Sequence, residues 1–162
     1  MFEKENARQY TPLPDINTVL PELRCVSLSQ VMQEIAHRAA ADQRLPYEYL
    51  MERIMSQGQR QSLGVGNGVA IAEMRLRRLR RPYVLFARTA RPVDVHAVDG
   101  MPADLILLVL SPAGDMPGHL RRLSRLSRIM RDRDFCEKLR EADNADALHA
   151  LFLLPRTESL AA

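Results

Sequence analysis

Residues 62–73 read SLGVGNGVAIAE and join a glycine-rich loop to the start of a strand. Glycines alternate with other residues from Gly64 to Gly68, and the apolar run Val69-Ala70-Ile71 follows directly. A phosphate-binding loop would instead lead into a helix and carry a Lys-Ser or Lys-Thr pair, which is absent here. We therefore interpret the glycines as residues that permit tight turns before a β-strand. That strand leads to the carboxylate of Glu73.

The segments before this stretch predict two helices. Ser27 or Ser29 is placed to cap a helix that ends near Asp42, and Pro46 suits the first turn of a second helix that ends before Gly58. Apolar residues recur at helical spacing in the second helix and predict its buried side, which comprises Tyr47, Leu50, Met51, Ile54 and Met55.

The segments after it predict strands and then helices. Residues 83–87 and 105–110 are apolar runs, and the second is apolar on both faces, which is typical of a central strand covered by helices. A helix beyond Gly118 would lie on the sheet through Leu120, Leu123, Leu126 and Met130. Asp134 and Asn144 are placed to cap two last helices. This order predicts an α/β fold in which helices flank a sheet.

A chain of 162 residues has the size of one ordinary domain. Residues 1–14 are polar and end in Thr-Pro-Leu-Pro, so we predict a tail there, a domain over residues 15–154, and a second tail over residues 155–162. The longest apolar run is far shorter than the roughly 20 residues of a membrane span. The polar start lacks the apolar segment of a secretory signal, so we expect the chain in the cytoplasm and not in a membrane.

Composition bears on the ligands of the chain. Its two cysteines, Cys25 and Cys136, and its four scattered histidines have no metal-type spacing, and we predict neither a metal site nor a cofactor. The net charge is +3, with a pI of about 9.2, which permits an acidic partner. Aromatic residues make up only 5% of the chain and tryptophan is absent, which disfavours nucleic-acid binding.

Three motifs in order resemble the nitrogen-type enzyme IIA family of the bacterial sugar phosphotransferase system. Residues 62–73 are similar to the family pattern Ser-Thr-Gly-Ile-Gly-Asn-Gly-Ile-Ala-Ile-Pro-His. Residues 91–105, RPVDVHAVDGMPADL, resemble its Pro-Ile-Asp-Phe-Asp-Ala-Val-Asp-Gly-Gln-Pro-Val-Asp-Leu stretch. Ser111-Pro112-Ala113-Gly114 and then His119 look like its Val-Pro segment followed by a helix that starts with a second active-site histidine.

The resemblance implies a mixed β-sheet flanked by helices, with a phosphoacceptor histidine on a strand and the second histidine facing it from a helix start. His119 matches the second histidine, and Gly66, Asn67 and Gly68 match the loop. Arg60 stands next to the position of an upstream family arginine, and with Ser62 it completes the predicted binding residues. No other histidine has such support, so we expect His37, His96 and His149 to face solvent.

The sequence departs from the family at the acceptor, where Glu73 replaces the histidine and Ala72 the preceding proline. Leu63 and Gln61 also differ, replacing the family threonine and glycine. Glu73 then has three interpretations: a nucleophile that forms an acyl phosphate, a fixed negative charge that imitates the phosphorylated state, or an acid that pairs with an arginine or solvent.

The pattern favours a regulatory member of the family that does not accept phosphate and acts as a protein-interaction module. The implied partners are the phosphocarrier protein and regulated proteins such as transporters and kinases, and a homo-oligomer stays open. The alternative is an active phosphoryl-transfer subunit that uses His119 or Glu73 as acceptor. The arginines between Arg75 and Arg81 are either a solvated face or a docking site for an acidic partner. Those between Arg121 and Arg128 are expected on the solvated face of their helix, and because they lie next to His119 they could also contribute to a positive rim around the site.

Overall fold

The structure is a computed structural model that describes residues 16–58 and 63–154. The chain forms five strands and five helices over these residues. The strands are β1 (Thr18–Leu23), β2 (Gly64–Gly66), β3 (Val69–Leu76), β4 (Tyr83–Val93) and β5 (Ala103–Pro112). The helices are α1 (Leu28–Gln43), α2 (Tyr47–Gly58), α3 (Met116–Met130), α4 (Arg133–Glu141) and α5 (Ala145–Leu153). The predicted tails, residues 1–14 and 155–162, lie outside the described residues, so the domain boundaries stay predictions.

The five strands make one mixed sheet in the order β1-β4-β5-β3-β2. β1 is parallel to β4 and β3 is parallel to β5, whereas the β4–β5 and β2–β3 pairs are antiparallel. β5 is therefore the central strand, as its apolar sequence predicted. The parallel pair β3 and β5 ends at the same edge of the sheet, where Glu73 lies beside Val109.

Helices cover both faces of the sheet. Leu105, Leu107 and Val109 of β5 point into the core beneath α3, α4 and α5, while Ile106 and Leu108 point into the core beneath α1 and α2. This alternation is the period of two that a β-strand imposes on its side chains. The predicted fold class, a mixed sheet flanked by helices, is confirmed.

β1 was not predicted. Its sequence, TVLPEL, contains Pro21 and has only one residue, Thr18, that is fully buried. Proline has no N–H to give to a ladder and is tolerated on an edge strand, which is the position β1 takes. A half-exposed edge strand lacks the apolar alternation that reveals a strand in the sequence.

The N-caps of α1, α4 and α5 were predicted with one error. Ser27, and not Ser29, caps α1 by accepting a hydrogen bond from the N–H of Gln30, and Asn144 caps α5 as predicted. The cap of α4 is Asp132, whose Oδ1 accepts from the N–H of Phe135, so the prediction of Asp134 was wrong. Asp134 lies in the first turn instead, where a carboxylate favours the positive end of the helix dipole.

Two residues predicted to be buried are exposed. Met55 of α2 is 43% exposed and Leu120 of α3 is 57% exposed. Helical spacing alone does not fix the edges of a buried stripe, and both residues lie at such an edge. Leu50, Ile54, Leu126 and Met130 are buried as predicted.

α5 brings the end of the described chain next to its beginning. Nε2 of His149 donates a hydrogen bond to the carbonyl oxygen of Ile16 across 3.0 Å, and α5 packs beside β1. Ile16 and Phe152 are both buried in the core on this face of the sheet.

Candidate functional site

Glu73 lies on β3 with its side chain on the face of the sheet that α3 covers, since Val69 and Ile71 point the same way. Its backbone N–H donates to Oε1 of Gln57, from α2, across 3.0 Å. The side chain is 29% exposed, so one side of the carboxylate meets solvent and the other meets the protein. The strand position implied by the resemblance is therefore reproduced.

His119 lies in the first turn of α3 and is buried. Its Nε2 contacts Oε2 of Glu73, and its Nδ1 lies 2.8 Å from Oγ of Ser111 on β5. The start of α3 thus delivers the imidazole to the ends of β3 and β5. The structure brings the two predicted site residues into direct contact, and Glu73 pairs with this histidine instead of with an arginine or solvent alone.

The hydrogen bonds restrict where the proton of His119 sits. A carboxylate only accepts, so Nε2 must carry a hydrogen to bond Glu73. Nδ1 then either accepts from the hydroxyl of Ser111 in the neutral ring or donates to it in the imidazolium. In both states the lone pair of Nε2 is occupied by a proton, and a nitrogen without a free lone pair is not a nucleophile.

Arg122 extends this network beneath His119. Its Nη2 donates to Oγ of Ser111 at 2.8 Å and to Oδ2 of Asp115 at 3.0 Å, while its Nε is buried without a hydrogen-bond partner among the described residues. The guanidinium of Arg122, followed by the N–H of Gly118, holds the pKa of Asp115 below its ordinary value. Asp115 is also the N-cap of α3, so the network fixes the turn that carries His119.

Ser111 was not predicted as a site residue, and Arg122 was named only among four arginines that could form a positive rim around the site. The side chain of Arg122 is 16% exposed, so its predicted place on the solvated face of α3 was wrong. Its position three residues after His119, one helical turn away, is a signal that the two share a side of the helix. Ser111 is paired with Arg75 in the parallel ladder, a relation that spans many residues and that the sequence does not reveal.

The predicted loop residues lie at the other end of β3. Gly66, Asn67 and Gly68 have positive φ angles of 96°, 56° and 71° and form the turn between β2 and β3. At about 3.3 Å per residue, Glu73 is roughly 13 Å along the strand from Val69. The interpretation of the glycines as turn residues is confirmed, and a binding role for the three residues stays a prediction.

The contacts of Asn67 are structural. Its Nδ2 donates to the carbonyl oxygen of Arg131 at 3.1 Å. The carbonyl oxygen of Asn67 accepts a hydrogen bond from Nη2 of Arg140 at 2.5 Å. Arg140 also pairs with Asp104 at 2.8 Å. The turn therefore anchors α4 to the sheet. The other two predicted binding residues, Arg60 and Ser62, lie outside the described residues.

A cavity of about 320 Å³ lies elsewhere, between α1, α2 and the loop between β4 and β5. The residues that line it are Leu28, Ser29, Met32, Ile54, Met55, Leu63 and His96. Neither Glu73 nor His119 is among them. The Glu73–His119 pair is therefore separate from that cavity.

The remaining candidate groups take no part in the site. His37, His96 and His149 are exposed, as expected. Both cysteines are buried free thiols, and burial raises the pKa of Cys136, which opposes thiolate formation. Over residues 16–58 and 63–154, no group of three or more His, Cys, Asp and Glu side chains is arranged to hold a metal ion. None of the helices in these ranges has the length and apolar character to cross a membrane.

The fold and the family match reported below define the class of protein, which is the enzyme IIA component of the phosphotransferase system. The nitrogen regulatory protein IIA-Ntr of Neisseria meningitidis aligns with a TM-score of 0.79 and 27% identity, over 86% of this chain and 95% of that structure. The mannitol IIA of Escherichia coli shares the fold, with a TM-score of 0.70 and 12% identity over 83% of this chain and 94% of that one.

The chain belongs to the family described as "Phosphoenolpyruvate-dependent sugar phosphotransferase system, EIIA 2", which matches residues 13–154. Relatives in this family carry the name nitrogen regulatory protein. That of Bradyrhizobium diazoefficiens is 38% identical over 89% of this chain and 96% of its own length. That of Escherichia coli K12 is 29% identical over 80% of each chain. The family that the three sequence motifs predicted is confirmed.

Proposed function

We propose that this protein is a regulatory enzyme IIA that does not accept a phosphoryl group and that binds partner proteins through the surface around Glu73 and His119. The observation that carries the proposal is the contact between Oε2 of Glu73 and Nε2 of His119. A carboxylate, Glu73, stands at the position that matches the acceptor histidine of the family. It is hydrogen-bonded to His119, which matches the second active-site histidine.

The hydrogen bonds of His119 support the loss of phosphotransfer. Phosphoryl transfer to an imidazole needs a nitrogen lone pair aimed at the incoming phosphorus. Nε2 uses its hydrogen on Glu73, and Nδ1 faces Ser111 in the buried interior. Glu73 also places a negative charge where the oxygens of a phosphoryl group would arrive, and like charges at such short range repel each other.

The shape and charge of the site support a binding role. The carboxylate of Glu73 is partly exposed and lies outside the cavity described above. Arg75 lies two residues further along the same strand, so its side chain leaves the sheet on the same face as that of Glu73. The proposed partners are the phosphocarrier protein and regulated transporters or kinases, and the proposed place of action is the cytoplasm.

One observation favours the alternative, an active phosphoryl-transfer subunit. The exposed fraction of the Glu73 carboxylate leaves an oxygen within reach of a partner. That oxygen could attack the phosphorus of a phosphohistidine on the carrier, so that the P–N bond breaks and the carrier imidazole keeps its electron pair. The product would be an acyl phosphate on Glu73.

Intact-mass measurement tests the two functions. The protein is incubated with the phosphorylated phosphocarrier protein of the same organism, and the mass of each chain is recorded over time. We expect the mass of this protein to stay unchanged while the carrier retains its phosphoryl group.

A stoichiometric phosphoryl adduct would overturn the proposal, and its chemistry would identify the acceptor. Cleavage by hydroxylamine, with loss of the adduct in Glu73→Gln, would assign a carboxyl phosphate. An acid-labile, base-stable adduct would assign His119. The Glu73→His variant serves as the positive comparison, because it returns an imidazole to the strand and frees Nε2 of His119 from the carboxylate.

A further inference from the structure

Positive charge is concentrated in two segments that meet at the site. Residues 74–82 and 116–131 together contain ten of the 23 lysines and arginines of the chain and none of its 20 aspartates and glutamates. The rest of the chain has 13 cationic and 20 acidic residues, a formal charge of −7. The net charge of +3 therefore conceals a strongly basic region on an otherwise acidic molecule.

Both segments begin where the parallel strands β3 and β5 end, an edge that we call the site end. The first contains the last residues of β3 and the turn after it. The second is α3 together with Arg131, and three residues separate it from β5. The carbonyl oxygen of Ala113 accepts a hydrogen bond from Nη1 of Arg75 at 2.9 Å, which ties the two segments together. Six exposed arginines at this end form what we call the arginine face: Arg75, Arg77, Arg78, Arg80, Arg81 and Arg121.

The acidic residues at the site end are already paired within the chain. Glu73 contacts His119, and Asp115 pairs with Arg122. Among the residues that the structure describes, no member of the arginine face forms an ion pair. Arg75 bonds a carbonyl and Arg78 lies over the ring of Tyr49, contacts that leave both charges uncompensated.

Exposed apolar residues lie beside these charges. Met116 and Leu120 are 42% and 57% exposed. They are four residues apart on α3, so they lie on one side of the helix with His119 between them in sequence. Exposed apolar side chains surrounded by charged residues are characteristic of protein–protein interfaces, whose centres are apolar and whose rims are polar.

We propose that the site end docks an acidic protein surface, with the partner's carboxylates on the arginine face and its apolar residues on Met116 and Leu120. The proposal rests on the proposed role of the Glu73–His119 region as a binding site and specifies the chemistry of the partner. Complementary charge steers such a partner to the site and sets its orientation.

Two other occupants fit the surface less well. The arginine face contains no aromatic residue on which the bases of a nucleic acid would stack. A second copy of the chain joined symmetrically through this surface would place the arginine face against itself, and isologous contact between like charges is unfavourable.

The test uses a fluorescein-labelled amphipathic peptide of glutamate and leucine residues as the probe, with fluorescence anisotropy of the intact protein as the readout. We expect Arg77→Glu with Arg80→Glu to weaken binding at least about tenfold at low ionic strength, because two favourable rim charges are reversed. High salt should reduce the difference between this variant and the native chain, since it screens exposed charges.

Control variants separate this surface from net charge. Arg91→Glu with Arg133→Glu makes the same charge change at exposed positions outside both basic segments, and its affinity should stay within about twofold of native. Met116→Ser with Leu120→Ser should lower the affinity for the glutamate–leucine peptide at least about threefold. The same pair should leave the affinity for a glutamate-only peptide unchanged. Circular dichroism of each variant confirms that it is folded.

The proposal is overturned if the Arg91 and Arg133 substitutions lower the affinity for the peptide as much as the Arg77 and Arg80 substitutions do. It is also overturned by tighter binding of a short DNA duplex than of the peptide at the arginine face, or by dimerisation of the free protein that the Arg77 and Arg80 substitutions change. These outcomes are independent of phosphorylation. A phosphoryl adduct in the mass experiment would refute the proposed function. The peptide experiment would still test whether the site end binds an acidic surface.

Discussion

A buried imidazole with a partner on each nitrogen is the central residue-scale feature of this protein. Burying a polar ring without hydrogen bonds would be costly, and His119 avoids that cost through Ser111 and Glu73. Ser111 serves two buried groups at once, because its Oγ also accepts from Arg122. One hydroxyl therefore provides a hydrogen-bond partner for both the histidine and the arginine.

Ser111→Ala tests how much these hydrogen bonds of the Ser111 hydroxyl stabilise the protein. Removal of the hydroxyl leaves Nδ1 of His119 without a partner and deprives Arg122 of one acceptor, so we expect a loss of about 1–3 kcal/mol in the free energy of unfolding. Urea denaturation followed by circular dichroism measures it.

Ser124→Ala is the control, since Ser124 is exposed on α3, the helix of His119 and Arg122, and its substitution should change stability by less than about 0.5 kcal/mol. Equal stability of the two variants would show that solvent replaces the contacts of Ser111.

The sequence indicated only part of this residue-scale arrangement. Resemblance to the family pointed to Glu73 and His119, which the structure brings together. Arg122 was expected on the solvated face because every arginine of α3 looks alike in a helical pattern. Its inward side chain depends on Ser111, eleven residues away on a strand, and such a pairing has no local signal in the sequence.

At the scale of the elements, the turn between β2 and β3 decides how α4 is attached to the sheet. The turn exposes the carbonyl oxygen of Asn67 to Arg140, which in turn pairs with Asp104 at the start of β5. Gly68 permits this approach. A Cβ there would lie 2.6 Å from Nη2 of Arg140 and 3.0 Å from Oδ1 of Asp104, at a φ of 71° that disfavours any side chain.

Gly68→Ala should therefore destabilise the protein by about 1–3 kcal/mol, through backbone strain and through displacement of Arg140. Thermal and urea unfolding measure the loss.

Gly114→Ala provides the comparison, because an added Cβ at Gly114 has no atom within 4 Å and its φ is not in the left-handed region. A Gly68→Ala protein as stable as Gly114→Ala would contradict the structural role of the turn.

The predictability of an element followed its burial. β5 was recognised because both of its faces are apolar, and α1 because its cap and apolar period agree. β1 was missed because it is an edge strand with a proline and lacks the alternation of apolar and polar residues by which a strand is recognised in a sequence. β4 was predicted over residues 83–87 but extends to Val93, because residues 90–92 are exposed and the later part of the strand lacks the continuous apolar run by which its first part was recognised.

At the scale of the whole molecule, one carboxylate connects parts of the chain that are distant in sequence. Asp42, in the last turn of α1, accepts hydrogen bonds from Thr18 of β1 and from Tyr83 of β4, both at 2.7 Å, and pairs with Arg38 at 3.0 Å. Burial alone would raise the pKa of Asp42, but these donors outweigh it and hold the pKa below its ordinary value. Burial raises the pKa of Tyr83, so its hydroxyl stays protonated and donates.

A lowered pKa in the folded state makes Asp42 a source of acid sensitivity. The stabilisation is present above the ordinary aspartate pKa of about 3.9 and is lost as the pH falls through the lower folded value. We expect Asp42→Asn to be less stable than the native protein by about 1 kcal/mol or more at pH 7, with the difference shrinking below about pH 4. Urea unfolding across the pH range measures it.

Asp143→Asn, at an exposed position between α4 and α5, should show a difference close to zero at every pH. A constant gap between Asp42→Asn and the native protein would mean that packing, and not charge, explains the effect of Asp42.

The hydrogen bond from His149 to Ile16 has a consequence for protein engineering. The described chain starts and finishes at one corner, with α5 alongside β1. A short linker between residues 154 and 16 would close the backbone into a ring, and new termini opened in the exposed turn after β3 would give a circular permutant with the same sheet. For the same reason, two linkers attached at this corner would allow the domain to be inserted into a loop of another protein.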